Sequence, residues 1–160
     1  MKFPKFLSEN DSNDLKKFES LSDMERSITF YAENTSSLNH LQPLITELTE
    51  KRKIQICYVT SVKNDPILFS QNEKILSFYI GTGMTRTKFF LFLKARILVM
   101  DMPDLNTFHI KRSIKYPVHY IYLFHSMFSI HSYLRKGAID NYDTIFCVGP
   151  HHKKEILETE

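Results

Sequence analysis

A doubly wound, mostly parallel α/β sheet is the fold class this sequence predicts, and three observations predict it. Six short apolar runs recur along the chain, patterns with helical spacing fall between most of them, and polar or Gly/Pro breaks end several. Continuous apolar strands alternating with helices are the signature of a parallel sheet covered on both faces. The 160 residues suffice for one domain with a proper core and are too few for two ordinary ones.

The elements follow in order. Residues 8 to 25 are rich in Ser, Asn, Asp, Glu and Lys, so residues 1–25 read as a flexible or loosely helical lead-in to a domain spanning 26–160. Ser27 to Ala32 is the first strong strand. Ser36 and Ser37 offer a helix cap, and Leu38, Leu41, Leu44, Ile45 and Leu48 then recur at helical spacing. Pro43 sits in the opening turns, where helices tolerate it best, and Lys51-Arg52-Lys53 suits a helix C-terminus. Ile54 to Val59 is the second strand and Ile75 to Ile80 the third. Gly81-Thr82-Gly83 reads as a turn and Thr85 to Lys94 as a short helix. Ile97 to Met100 is a fourth strand, broken by Asp101-Met102-Pro103-Asp104. Tyr120 to Phe124 is a fifth, followed by a helical segment around Ser129 to Lys136. Thr144 to Val148 is the sixth, Gly149-Pro150 ends it, and His151 to Glu158 begins another helix.

Composition narrows the function classes. Hydrophobic residues make up 42% and charged residues 24%, values of a soluble globular protein. The formal charge of +3 is small and its Lys and Arg are scattered among 18 acids, so no nucleic-acid-binding stripe emerges. A mild attraction to an anionic membrane surface or to nucleotide phosphates is compatible with that charge. Cys57 and Cys147 lie far apart inside apolar runs, read as small core residues, and without a CxxC they suit a reducing cytoplasm. No apolar run approaches the ~20 residues that span a bilayer. The start, Met1-Lys2-Phe3-Pro4-Lys5-Phe6-Leu7, lacks the apolar region of a signal peptide.

His125 is the leading candidate for chemistry. It ends the aromatic and β-branched run Val118-His119-Tyr120-Ile121-Tyr122-Leu123-Phe124, at the edge where open α/β sheets collect their ligands. An imidazole there titrates near neutrality and can take a proton from a hydroxyl. The alternative is a histidine that caps the next helix or satisfies a carbonyl. Ser126, Ser129 and His131 surround it in sequence, but no G-x-S-x-G elbow supports a Ser-His-Asp triad. Gly81-Thr82-Gly83 could offer amides to a phosphate, yet position 86 is Arg rather than Gly, and a tight turn explains it better. Arg86 just beyond is placed to face an anionic substrate. Asp101, Asp104 and His109 hint at a metal, but their irregular spacing around Pro103 fits a solvated loop, so no metal site is expected. His151-His152 before Lys153-Lys154 reads as a helix start at the surface. Asp140 and Asp143 flank Tyr142, where either can cap a turn or orient a neighbour.

Several of these segments occur together in one known family. Val118 to Met127 with its terminal His125-Ser126, Ser129-Ile130-His131-Ser132-Tyr133, Gly137-Ala138-Ile139-Asp140-Asn141-Tyr142-Asp143 and Phe146-Cys147-Val148-Gly149-Pro150-His151-His152 resemble the amino-terminal half of the CDP-glycerol glycerophosphotransferases. These are the primases and polymerases of wall teichoic acid. The similarity covers roughly residues 74 to 157; upstream only the alternating pattern agrees.

The resemblance implies one Rossmann-like half of a GT-B enzyme and a cofactor-free, metal-independent transfer of glycerol phosphate. The family's proposed base maps onto His125. Where the family continues with Gly and a Thr-Pro-Leu-Lys-like stretch, this chain has Ser126-Met127-Phe128-Ser129, which points to a different acceptor. The expected partners are a CDP-alditol or nucleotide-sugar donor, held mainly by a carboxyl-terminal domain, and a lipid-linked or glycan acceptor. The expected location is the cytoplasm, with peripheral contact at the inner face of the membrane. In this reading His125 is catalytic, and Ser126, Ser129, His131 and Arg86 bind substrate. Two other readings are open: half of a GT-B glycosyltransferase or nucleotide-sugar epimerase, and a non-catalytic domain binding a glycan or partner chain. The chain stops just after a sixth strand and a helix start, where two-domain α/β enzymes cross to their second domain.

Overall fold

The computed structural model describes residues 6–159, with side chains from 11 to 158. The reading of the first seven residues as something other than a signal peptide therefore falls mostly outside them. Six strands form one sheet in the order β3-β2-β1-β4-β5-β6, and every adjacent pair is parallel. The strands are β1 (Ile28–Ala32), β2 (Ile56–Thr60), β3 (Ile75–Tyr79), β4 (Ile97–Met100), β5 (His119–Leu123) and β6 (Thr144–Phe146). This is the doubly wound Rossmann-like arrangement. The chain runs outward from β1 to β3, returns to β4 beside β1, and runs outward again, leaving a switch point between the carboxyl ends of β1 and β4.

Strand alternation sorts the core into two layers. Phe30, Ala32, Tyr58, Val99 and Ile121 share one cluster with Leu41 and Ile45 of helix α2 (Ser37–Thr46). Tyr31, Cys57, Val59, Leu98, Met100, Tyr120 and Tyr122 fill the other, against helices α1 (Phe6–Ser20) and α3 (Met84–Phe92). Helix α4 (Pro150–Thr159) follows β6.

Several expectations are corrected. The segment read as a flexible or loosely helical lead-in contains helix α1, which is docked by Leu15 and Phe18, 3% and 1% exposed. Phe18 meets Phe78 and Phe89 edge-on at 5.6 and 5.3 Å, so it and Leu15 anchor the otherwise polar stretch Ser8 to Ser20. The cap of α2 comes from Asn34, not Ser36: the Asn34 carboxamide oxygen accepts from the Ser36 and Ser37 amides at 3.0 and 3.2 Å. The helix expected over 129–136 is only a 3-10 turn, Ile130–Ser132. There the Ile130 amide, first in the turn, donates to the Glu155 carboxylate of α4 at 2.8 Å, which ties the turn to that helix.

Cys147 is exposed rather than in the core, because β6 ends at Phe146 and leaves the sheet before it. His152, expected at the surface, is fully buried. Its Nε2 lies 2.9 Å from the Phe128 carbonyl and its ring 4.6 Å from that of Phe124.

Candidate active site

The two-residue period of the strands decides which side chains meet at the carboxyl edge. Val99 of β4 pairs with Ile121 of β5, and both face the layer of α2. Two residues further, the same alternation aims Asp101 at that face, and four residues beyond Ile121 it aims His125 there. Helix α2 starts just after β1 and carries His40 in its first turn. The three side chains meet.

His40 Nδ1 lies 2.6 Å from Asp101 Oδ2, a short, charge-assisted contact. Asp101 is only 6% exposed, so this bond satisfies an otherwise costly buried carboxylate. The His40 and His125 rings lie nearly parallel, 15° apart, with centroids 4.2 Å from one another. Tyr133 closes one side, its ring 6.3 Å from that of His125. His125 itself remains exposed to solvent.

Burial pushes the His125 imidazole below its ordinary pKa. The neighbouring His40 pushes the same way, while Asp101 and the Leu123 carbonyl oppose it. The neutral ring, with a lone pair to accept a proton, is thereby favoured. Among the described residues, His40, Asp101 and His125 are the one group of three His, Cys, Asp or Glu side chains that brings a ligand atom from each within 4.8 Å of the others.

The other predicted site residues lie elsewhere or have other tasks. Ser126 Oγ accepts the Phe128 amide at 3.2 Å and shapes the loop after β5. Ser129 belongs with Glu155 of α4, whose carboxyl is held below its usual range by the Ile130 amide, outweighing its slight burial, and by the Ser129 hydroxyl. His131 lines a separate cleft of about 740 Å³ with Leu134, Arg135, Gly137 and Tyr142. That cleft gathers no such trio.

Arg86 reaches the carboxyl edge on the α3 side. It forms a 3.2 Å ion pair with Glu33, and at 13% exposure it is already neutralised rather than free for an anion. The pair lines a cleft of about 300 Å³ with Asp104 and Phe108. The Asp101-Asp104-His109 set divides: Asp101 turns inward to His40, and Asp104 pairs with Arg135 at 2.7 Å. Asp143 accepts the Tyr120 amide at 2.8 Å and an Arg112 guanidinium at 2.9 Å, which places it at the opposite, amino end of β5.

Sequence reasoning missed His40 and misread Asp101. The usable signal for His40 was a histidine in the first turn of the helix after β1, beside the apolar positions Leu41 and Leu44. No family model, curated protein or solved structure matches this chain.

Proposed function

We propose that this domain is the acceptor half of a transferase that moves an alditol phosphate from a CDP-activated donor to an acceptor hydroxyl. The observation that supports it is the half-open His125 imidazole at the carboxyl end of β5, backed by the His40–Asp101 pair. The resemblance of residues 74–157 to glycerophosphotransferases supplies the reaction class. In the proposed step the acceptor oxygen bonds to the β-phosphorus while its proton passes to His125. The bond from that phosphorus to the bridging oxygen breaks, and CMP leaves with the electron pair. Such transfers depend mainly on positioning and charge stabilisation, which a base at a cleft edge and a donor held across the cleft provide together.

A second, donor-holding domain belongs to this reading, as does an acceptor on a glycan or lipid carrier presented at a membrane surface. No helix among the described residues is long and apolar enough to cross a membrane. In this reading the domain meets its acceptor by peripheral contact with the membrane.

In an enzyme that joins this domain to a donor-binding one, His125→Ala is expected to lower transfer from CDP-glycerol by ~10²–10⁴-fold. Because the ring sits at the rim of the sheet, the thermal midpoint should move by only a few degrees. Near-normal turnover in the variant overturns the assignment of His125 as base. Calorimetry of CDP-glycerol against residues 1–160 alone should show weak binding or none, and tight binding there would refute the division between two domains.

A further inference from the structure

The same edge of the sheet carries a second capability, independent of the transfer reading. We propose that His40, Asp101 and His125 form a site for one divalent transition-metal ion of the zinc type.

Two imidazoles and one carboxylate are a donor set that first-row divalent ions favour, with the remaining positions left to water or ligand. Each donor stands on a separate, well-anchored element: His40 on α2, Asp101 directly after β4, and His125 just past β5. One ligand atom from each already lies within 4.8 Å of the others. Donors sharing a tetrahedral ion at metal–ligand distances of ~2.0–2.2 Å lie roughly 3.3–3.6 Å apart. His40 Nδ1 and Asp101 Oδ2, 2.6 Å apart as hydrogen-bond partners, need to separate by roughly 1 Å to admit the ion between them. The rest of the closure falls to His125, whose exposed ring has to turn out of its stack on His40 to aim a nitrogen lone pair at the ion.

The local electrostatics suit a cation. Asp101 is nearly buried, and the group facing it is the His40 nitrogen. An ion placed between Nδ1 and the carboxylate takes over the role of that proton, which moves to Nε2 of a neutral ring or leaves an imidazolium for water. Among the described residues no Lys or Arg pairs with the trio; Tyr133 and the Leu123 carbonyl lie beside His125, and the neutral phenols of Tyr58, Tyr122 and Tyr142 are near Asp101. A metal on His125 occupies the lone pair that the transfer reading assigns to the proton, so the two uses of the ring compete. Zinc is then an inhibitor of transfer as well as a ligand of the site.

The test uses the full chain, stripped with a chelator and titrated with Zn²⁺ by calorimetry and with Co²⁺ by visible absorption. One ion per chain is expected, with a Co²⁺ band typical of nitrogen and oxygen ligation. Asp101→Asn and His125→Ala should each weaken binding by at least about tenfold, while His131→Ala, in the separate cleft, should leave it unchanged. Absence of saturable one-to-one binding overturns the site, and so does binding that survives in His125→Ala. Because His125 lies at the rim, that variant keeps the test decisive even where Asp101→Asn unfolds. Metal binding needs no donor or acceptor, so its failure leaves the transfer reading standing, and the loss of transfer in His125→Ala does not by itself support a metal.

Discussion

Asp65 shows how much one side chain organises behind the sheet. It is 2% exposed, and its carboxylate accepts from Tyr58 Oη at 2.9 Å, Thr60 Oγ1 at 2.8 Å and the Ile67 amide at 3.1 Å. Asp65→Ala strands three buried donors, so it is expected to cost about 2–4 kcal/mol in urea unfolding. Tyr58→Phe removes only one partner and should cost about 1 kcal/mol. Equal effects of the two would refute this hub. Asp143 makes a pH-dependent contribution. Partial burial would raise its carboxyl, but the Tyr120 amide and the Arg112 guanidinium outweigh that and hold it below its usual value. A carboxyl depressed in the folded state stabilises at pH above its unfolded value, and that stability is lost as pH falls through the folded one. Asp143→Asn should therefore cost on the order of 1 kcal/mol at pH 7, after allowance for solvent screening, and progressively less below about pH 4. A cost that stays flat down to pH 2 would contradict this.

At the scale of elements, helix α1 is the informative case. Its sequence is polar enough to suggest a mobile segment, yet Phe18 packs into a cluster of rings with Phe78, Phe89 and Tyr31 nearby. Phe18→Ala is expected to lower stability by about 3–5 kcal/mol, whereas exposed Lys16→Ala should change it by about 0.5 kcal/mol or less. A lead-in with no docking role would show neither effect, so the contrast in unfolding midpoints decides. The strands themselves were readable because their burial on both faces requires unbroken apolar runs, as in Ile56–Thr60, where every residue is buried. The segment 129–136 was not. Only Ile130 is well buried there, so a longer helix would have no apolar stripe to cover.

Across the whole molecule the two thiols give independent readings of order. Cys57 is fully buried in β2, and burial lifts its thiol to about 12, so it stays unreactive while the sheet is intact. Cys147 lies exposed beyond β6. A disulfide reagent at pH 8 should titrate one thiol per native chain quickly and the second only at the rate of global unfolding. Two fast thiols would mean that the β2 layer opens locally.

The sequence by itself determined the fold class, the order of the six strands, and the place of His125 at a strand's carboxyl end. Those follow from local rules: apolar runs need burial, and a polar break ends a strand. It did not determine what His125 would meet. His40, Asp101 and His125 are separated by 61 and 24 positions, so no spacing along the chain could signal their meeting. Only the parallel register of β4 with β5, and the docking of α2 on the face they share, brought the three together. The same applies to Arg86: in the sequence it is a free cation, and in the fold Glu33, 53 residues away, already neutralises it. Charges and ligands are paired by tertiary neighbours, and the strand alternation that decides those neighbours acts only once the sheet exists.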